Sequence, residues 1–569
     1  MANESSMMAK SPPDTSTAAV DQALADLRLG ARRLVDASLA ERIGWSEDCL
    51  RSLAAVAHDW VEAACRAKRI PPGSAARAEE ILVGPVSVAR YLRLIIATLA
   101  ELRTRPEPRL PGQPRLLHGQ LRVPTFPTRE LYDALLFRGV IAETWLQPDA
   151  TPEQLCGDAP ARLARRTTPP PQIALVLGAG NVSAIPATDA LTKILQGDAA
   201  VLLKMNPVND YLGPYFEQSF APLIAAGVLR IVYGGADVGA YAVHHPQVDA
   251  VHITGSTASH DAIVWGADPA ERQRRQLAND PLVTKPVTSE LGNVTPWAIV
   301  PGAYSNAQLQ SQAESIAASI ANNASFNCIA TKMVITSRHW PQRGQFLDLI
   351  SSILASIPPR YAYYPGAPER FAEFGGGAAP PDEQGRLPWL LRRDVTPDSE
   401  PILFERESFV CVVGETALDA GAPLEFLDHA VDFMNDQLWG TLAAGLTVPD
   451  DLRRQRPAEL DAALRRLRYG TIGVNQWPGL GYALMSPPWG AFPGADLADV
   501  QSGIGFVHNT CLLDRPQKTV LRAPLTMFPK PSWFSTHRRP EALAWKLCDL
   551  YCQPSIWKLP GLFNQALRG

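Results

Sequence analysis

Hydrophobic positions recur at helical spacing through the first hundred residues. Val20, Leu24 and Leu27 would share one face of a helix, and similar spacing continues to about residue 105. This pattern predicts a helical region over 18–105. Residues 1–17 are polar and rich in Pro, Ser and Thr, so we expect them to be disordered.

The pattern then changes from helices alone to strands that alternate with helices. We expect the Pro-rich stretch 106–128 to be a connection and 129–140 to be helical. The strand-like runs that follow are 172–177, 199–204, 229–233 and 250–254. Such alternation predicts a parallel sheet with helices on both faces, whose ligand lies beyond the carboxyl ends of the strands.

The alternation resumes after residue 290 and predicts a second α/β unit. Its strand-like runs are 296–300, 333–336, 409–413, 442–447 and 471–475. The Gly- and Pro-rich stretch 364–388 is interpreted as a surface insertion, and 517–524 as one late strand. A tail rich in Trp, Leu and Pro follows.

Composition restricts the class of protein. With 569 residues, 46% hydrophobic and 19% charged, the chain is typical of a soluble protein of two or three domains. Its formal net charge of -4 gives no electrostatic reason to expect a nucleic-acid partner. The eight cysteines lack paired spacing, and we see no HExxH motif, secretory leader or apolar run of membrane-spanning length. We therefore expect a cytoplasmic protein without disulfides or a metal site.

Two residues could carry chemistry. Cys328 follows small and amide residues and precedes a strand-like run, and Glu290 lies in a short turn. A thiolate can attack carbon, and a carboxylate can take a proton from a thiol or from water. A free cysteine in a large chain is more often a small core residue, and Glu290 could be a carboxylate in a surface turn. The surrounding motifs must decide.

A series of motifs in a fixed order supplies that context. Gly178 and Gly180 begin a dinucleotide-binding fingerprint, but Ser183 replaces its third glycine, so this motif alone is weak. The full series is Gly178-Ala179-Gly180-Asn181, Lys204, Gly255-Ser256, Glu290-Leu291-Gly292, Cys328 and Glu407-Ser408-Phe409. This series resembles the aldehyde dehydrogenase superfamily over about 130–525.

The resemblance implies an α/β fold with a Rossmann-type cofactor domain, an α/β catalytic domain and a small oligomerisation strand element. We divide the chain accordingly into a disordered N-terminus (1–17), the N-terminal helices with the NAD(P)-binding domain (18–288), the catalytic domain (289–505), and the oligomerisation strand with the tail (506–569).

The resemblance also implies a role for each motif residue. Cys328 would be the nucleophile, Glu290 the base that activates water, and Asn181 the donor to the oxyanion together with the Cys328 main-chain N–H. NAD or NADP would be the cofactor, held by Lys204, Gly178, Gly255, Ser256, Glu407 and Phe409. Without the resemblance, Asn181 could simply cap a helix, and Lys204 could be a lysine at a strand end that extends to solvent.

Several positions depart from the family pattern. Pro207 stands where NAD-preferring members usually carry a Glu that binds the ribose, which makes NADP acceptable. The interval between Gly255 and Glu290 is longer than usual and suggests a loop at 266–284. Further departures are Val182-Ser183, His260 and Ser325-Phe326. These changes affect cofactor geometry and substrate shape, but not the nucleophile.

The favoured hypothesis is NAD(P)-dependent oxidation of an aldehyde to its acid through a thioester on Cys328. A bulky or apolar aldehyde is indicated by the residues expected at the substrate entrance, which are Phe326, Asn327, Ile329 and Trp477. Glu290 favours hydrolysis of the thioester over transfer of the acyl group to coenzyme A. Transfer to coenzyme A and a catalytically silent fold stay as alternatives.

The tail and the assembly are predicted from composition and from the resemblance. We expect the apolar residues of 545–563 to pack on the body or on a partner subunit; a lid over a substrate tunnel or a peripheral membrane contact is less favoured. A homodimer or a dimer of dimers is expected through 517–524, and the lack of an obvious hairpin before Ile173 favours the dimer.

Overall fold

The computed structural model describes residues 11–377 and 381–569. Residues 1–10 of the segment expected to be disordered lie outside the described residues. For the rest of that segment the expectation is wrong, because residues 11–16 pack on the body. The Thr15 N–H donates to the Tyr233 carbonyl at 3.0 Å, and the Ser11 hydroxyl donates to Asp210 at 2.9 Å.

The helices lie at both ends of the chain and around the sheets between them. They are, in chain order, α1 (Thr17–Asp36), α2 (Leu39–Ala67), α3 (Ala76–Ile81), α4 (Ser87–Leu102), α5 (Leu131–Leu136), α6 (Ala159–Leu163), α7 (Ile185–Leu195), α8 (Gly213–Ser219), α9 (Ala221–Ala225), α10 (Ala236–His244), α11 (Thr257–Val264), α12 (Pro269–Ala278), α13 (Asn306–Ala321), α14 (Arg343–Ser356), α15 (Ala367–Gly375), α16 (Ile402–Glu405), α17 (Pro423–Asp436), α18 (Asp450–Gln455), α19 (Pro457–Arg466), α20 (Leu480–Ala483), α21 (Pro540–Cys552) and α22 (Leu559–Ala566).

The strands form two large sheets and two small ones. They are β1 (Arg115–Leu117), β2 (Gln120–Phe126), β3 (Ile141–Leu146), β4 (Gln172–Leu177), β5 (Ala199–Lys204), β6 (Leu229–Val232), β7 (Ala250–Gly255), β8 (Val287–Leu291), β9 (Pro296–Ile299), β10 (Met333–Ser337), β11 (Arg360–Tyr361), β12 (Arg386–Leu387), β13 (Leu390–Arg392), β14 (Val412–Leu418), β15 (Ala443–Thr447), β16 (Thr471–Val474), β17 (Pro488–Gly490), β18 (Gly503–Ile504), β19 (Phe506–His508) and β20 (Pro516–Arg522).

The first large sheet confirms the predicted alternation. Its strand order is β18-β8-β7-β4-β5-β6, and β4 to β8 pair in parallel while β18 runs antiparallel to β8. The strands read as continuous apolar runs because helices cover both faces. The boundary predicted between residues 288 and 289 falls inside β8. The stretch 266–284, expected to be a loop, contains α12, which begins with Asp268 as its N-cap.

The second large sheet has the order β1-β2-β3-β20-β16-β15-β9-β10-β14-β13. Its predicted strands are present, with the run expected at 409–413 beginning instead at Val412. The Pro-rich stretch 106–128, expected to be a connection, contains the antiparallel pair β1 and β2, so a short hairpin is present before Ile173, where no obvious hairpin was expected. β2, β3 and β20 continue this antiparallel part, and β20 joins it to β16 in parallel.

The stretch 364–388, interpreted as a surface insertion, is exposed or half-buried at most of its described residues, but it also contributes to the core. Its helix α15 buries Phe371 and Phe374 among residues of the second sheet. These aromatic side chains fix the segment in place, which composition alone did not indicate.

The N-terminal helices and the tail form a third packed layer. Ser38 and Glu41 make a capping box that starts α2, and Pro85 accompanies a kink between α3 and α4. The whole stretch Ala76–Leu102 is long and apolar enough to span a membrane, contrary to the expectation from sequence, but 67% of its most apolar window is buried in the protein. It packs against α2 and α21, as a core helix does.

Candidate functional site

The carboxyl ends of β4, β5 and β7 open onto a cleft of about 600 Å³. Parallel strands place their carboxyl ends at one edge of a sheet, which explains why residues distant in sequence meet there. All nine residues predicted for catalysis or cofactor binding line this cleft: Gly178, Asn181, Lys204, Gly255, Ser256, Glu290, Cys328, Glu407 and Phe409.

Cys328 lies where this cleft meets a second, apolar cavity, and its side chain lines both. Its Sγ lies 3.5 Å from Oε1 of Glu290, to which the thiol donates. Burial raises the pKa of the Cys328 thiol well above its ordinary value, and the carboxylates of Glu290 and Glu407 add to this rise. The thiol is therefore protonated at neutral pH, with a carboxylate within reach of its proton.

Glu290 ends β8 and is 3% exposed. Burial, with a smaller contribution from Asp189, raises the pKa of its carboxyl to about 7. Its Oε2 is buried without a hydrogen-bond partner among the described residues. A carboxyl group with this pKa can take and release a proton near neutrality.

Asn181 follows β4 and is 6% exposed. Its Nδ2 donates to the Phe326 carbonyl at 3.1 Å, two residues before the nucleophile. An amide nitrogen carries two N–H groups, and this bond uses one of them. The second makes no hydrogen bond to the described residues.

The nicotinamide end of a cofactor would meet Glu407. Its Oε1 is buried without a partner among the described residues, as an acceptor awaiting a hydroxyl group would be. Its Oε2 would lie 1.8 Å from a Cβ on Gly292, so only glycine lets the carboxylate lie there. A Cβ on Gly255 would meet nothing within 4 Å, which shows open space at the edge of the cleft. These features fit a bound dinucleotide.

Lys204 marks the other end of the cleft. Burial lowers the pKa of its ammonium, and the nearby carboxylates of Asp14 and Asp210 act in the opposite direction. Asp14 belongs to the N-terminal segment that packs across this edge, and Asp210 accepts the Ser11 hydroxyl. No motif in the sequence indicated that these two carboxylates lie near Lys204.

The apolar cavity has a volume of about 140 Å³. Asn327, Ile329 and Trp477 line it as expected, and the Trp477 indole N–H donates to the Ile329 carbonyl at 2.8 Å. Phe326 does not line it: its ring packs against Tyr363, Tyr364 and Phe409 instead. Its expected place at the substrate entrance is wrong, because the turn before Cys328 directs this ring toward the catalytic domain.

Most residues of the cavity wall belong to the N-terminal helices and the tail, to which no sequence motif assigned a role. The kink between α3 and α4 contributes Leu82, Val83 and Val86. The tail contributes Met527, Trp533, Leu543, Leu547, Tyr551, Leu562 and Phe563. The tail packs on the body, as expected, and also covers the cavity, which was the less favoured alternative. Its apolar residues were the available signal, but nothing in them indicated which surface they would cover.

The cofactor cleft also has lining residues that were missed. Tyr364 and Arg370 come from the stretch taken for a surface insertion. Two nitrogens of Arg370, Nε and Nη2, are buried without a partner among the described residues. No sequence motif marks these positions.

Comparisons with known proteins concern the family and the fold. Residues 181–350 match the family model described as the aldehyde dehydrogenase family. No curated protein sequence matches the chain.

Solved structures share the fold at low sequence identity. The NADP-dependent glyceraldehyde-3-phosphate dehydrogenase of Bacillus halodurans is 17% identical, with a TM-score of 0.59 over 90% of this chain and 92% of that chain. An aldehyde dehydrogenase of Mycobacterium tuberculosis complexed with NAD+ is 16% identical, with a TM-score of 0.58 over 90% and 91%. The lactaldehyde dehydrogenase of Escherichia coli is 14% identical, with a TM-score of 0.57 over 90% and 92%. The predicted fold is confirmed.

Proposed function

Because residues 181–350 match the aldehyde dehydrogenase family model and the fold is shared with solved aldehyde dehydrogenases, we propose that the chain belongs to this superfamily and oxidises an apolar aldehyde to the carboxylic acid, with NAD or NADP as hydride acceptor. The observation that carries this proposal is the position of Cys328, whose thiol lies between the cofactor cleft and the apolar cavity. An aldehyde carbon held in the cavity would meet the sulfur on one side and a hydride acceptor on the other.

The first step is activation of the thiol. Glu290 takes the Cys328 proton across the 3.5 Å contact, and the sulfur forms a bond to the aldehyde carbon. The carbonyl π electrons move to the oxygen, giving the anion of a thiohemiacetal. Removing the thiol proton is necessary because burial keeps Cys328 protonated at rest.

The developing oxyanion needs donors. Asn181 offers the amide N–H that is not used by Phe326, and the Cys328 main-chain N–H is the second donor. When the oxyanion collapses, the hydride leaves the carbon and a thioester remains on Cys328. A nicotinamide cofactor in the cleft supplies the acceptor for that hydride.

The residues that fit the cofactor act by binding and orientation. Glu407 would accept from a ribose hydroxyl with its unpartnered Oε1. Lys204 would bind the adenosine ribose, and Gly255 and Ser256 would let the main chain approach the diphosphate. Phe409 would pack beside the nicotinamide ring.

Hydrolysis completes the reaction. After releasing the first proton to solvent, Glu290 removes a proton from water, the oxygen attacks the thioester carbon, and the sulfur leaves as thiolate and regains this second proton from Glu290. The acid product then departs. A base beside the thioester favours water as the acceptor of the acyl group, whereas transfer to coenzyme A gains nothing from it.

The cavity defines the class of aldehyde. An apolar cavity of about 150 Å³ holds a benzene ring, and this one has about 140 Å³. The preferred substrate would therefore carry an aromatic ring or an aliphatic chain of about six carbons. The homodimer and the cytoplasmic location stay predictions.

The test follows reduced-cofactor absorbance with a panel of aldehydes, for wild type and Cys328→Ala. NAD and NADP are run in parallel, with and without coenzyme A. Turnover without coenzyme A that is lost in the variant would support the hydrolytic route. Turnover only with coenzyme A would contradict it and favour acyl transfer, and no turnover that depends on Cys328 would favour a silent fold.

A further inference from the structure

Lys68, at the end of α2, lies in the interior of the protein with its side chain 3% exposed. Its Nζ pairs with Oε1 of Glu80 at 2.7 Å and donates to the Asn181 carbonyl at 3.1 Å and to Oδ1 of Asn323 at 3.0 Å. These three acceptors use all three N–H groups of the ammonium. A buried lysine held in this way fixes its partners relative to one another.

The partners of Lys68 belong to the proposed oxyanion donor and to the turn before the nucleophile. Asn323, Ala324 and Ser325 have φ values of 52°, 55° and 69°. Non-glycine residues in the left-handed region cost about 1 kcal/mol or more each. Three in succession persist only where surrounding contacts hold them.

Contacts from the N-terminal helices hold this turn together with Tyr363, which donates to Oδ1 of Asn323, and Lys332, which donates to Ser325. Oε2 of Glu79 accepts the Asn323 N–H at 2.9 Å, and Lys68 holds the Asn323 side chain. The Asn323 amide in turn donates to the carbonyls of Asn181 and Phe326, both at 2.9 Å. The second oxygen of Glu80 accepts the Ser183 hydroxyl at 2.9 Å. The segment around Asn181 and the segment before Cys328 are thus joined through α2 and α3.

We propose that Lys68, paired with Glu80, is a positioning residue that aligns the Asn181 amide with the sulfur of Cys328. The ion pair carries no net charge, so its effect on the oxyanion is through geometry. This assigns a role to the N-terminal helices, which complete the active site from outside the two sheets. For its effect on aldehyde turnover, the inference rests on the proposed function.

The test compares Lys68→Met, Lys68→Arg and the double variant Lys68→Met/Glu80→Gln with wild type. The double variant is needed because Lys68→Met alone leaves Glu80 buried without its partner. A matched control is Lys518→Met: Lys518 is also buried, and its Nζ also makes three hydrogen bonds, all to main-chain carbonyls, but it lies on β20.

Three measured rates distinguish a misaligned Asn181 amide from a general loss of active-site structure. Aldehyde oxidation and hydrolysis of a p-nitrophenyl ester both form an oxyanion beside Cys328, whereas alkylation of Cys328 by iodoacetamide does not. We expect the double variant to lose about tenfold to a hundredfold in kcat for both oxyanion-forming reactions. KM and the alkylation rate should change less than about threefold, since neither needs the aligned amide. Lys68→Arg keeps the charge and the donors and should restore most of the rate.

Hydrogen exchange supplies a readout independent of activity. Amides of 322–328 should exchange faster in the double variant and stay unchanged in Lys518→Met. Wild-type rates and wild-type exchange in the double variant would overturn the proposal, as would an equal loss of alkylation and turnover. If wild type oxidises no aldehyde, the proposed oxidation fails, while ester hydrolysis and exchange still decide the role of Lys68.

Discussion

The cofactor cleft and the apolar cavity meet at Cys328, yet they are built in opposite ways. Strand ends and the short turns that follow them form about half of the cleft, helices α10 and α11 line much of the rest, and the predicted residues are all present. Most of the cavity consists of side chains from helices at the two ends of the chain and from the loops near the tail. Under the proposed function, the chemistry is carried mainly by residues at the sheet edge, and substrate shape is set by elements that pack on the sheet.

The largest effect is expected at Glu290, which lines the cleft beside Cys328. Glu290→Gln removes the base and should lower kcat for acid formation about 10²- to 10³-fold. In wild type, kcat should fall as the pH decreases through about 7, because the carboxylate becomes protonated there. Steady-state kinetics from pH 5.5 to 9 would check both points. An inflection near pH 7 that persists in the variant would assign it to another group.

A change confined to the cavity should alter substrate choice alone. Ala483 lines the cavity on α20, and Ala483→Phe adds a ring that nearly fills it. We expect kcat/KM with phenylacetaldehyde to fall about tenfold or more, and with acetaldehyde less than about threefold. The matched control is Ala542→Phe, at an exposed position of α21. Equal losses with both aldehydes would show that the cavity does not hold the substrate.

A change confined to the far end of the cleft should alter cofactor choice alone. Pro207 removes the usual carboxylate that opposes a 2′-phosphate, but Asp14 and Asp210 lie near Lys204. We expect NAD to be preferred, and Asp14→Asn with Asp210→Asn to raise kcat/KM for NADP about threefold to tenfold relative to NAD. The ratio measured at low salt checks this. An unchanged ratio would exclude these carboxylates from cofactor selection.

The smallest effect concerns stability. The folded state raises the pKa of Glu290 from 4.5 to about 7, so it binds this proton more tightly than the unfolded chain. The contribution of this bound proton to the free energy of unfolding is complete below about pH 4.5 and is lost as the pH rises through about 7. It amounts to about 3 kcal/mol. Glu290→Gln should therefore gain more stability relative to wild type at pH 8 than at pH 5.5, as measured by urea unfolding. The same gain at both pH values would contradict the raised pKa.

The sequence predicted the site residues that belong to local motifs at strand ends. It did not predict the residues whose role depends on tertiary packing. The turns after β4, β5 and β7 could be predicted because glycine, asparagine and lysine at strand ends follow one pattern. The strands β1 and β2 were missed because Pro-rich composition obscured short antiparallel runs. Lys68 and the tail could not be assigned, because a helix periodicity shows which face is buried, but not what that face covers. The direction of the Phe326 ring was likewise set by a left-handed turn that no periodicity reveals.

The central claim is that Cys328 receives the acyl group between the two regions, and a trapped intermediate tests it most directly. Glu290→Gln should form the thioester slowly and hydrolyse it more slowly still. After mixing with phenylacetaldehyde and NAD, mass spectrometry should find the acyl mass on the peptide that contains Cys328, and hydroxylamine should remove it. Reduced cofactor formed without an acyl group on Cys328 in this variant, or the acyl group on another residue, would contradict the account.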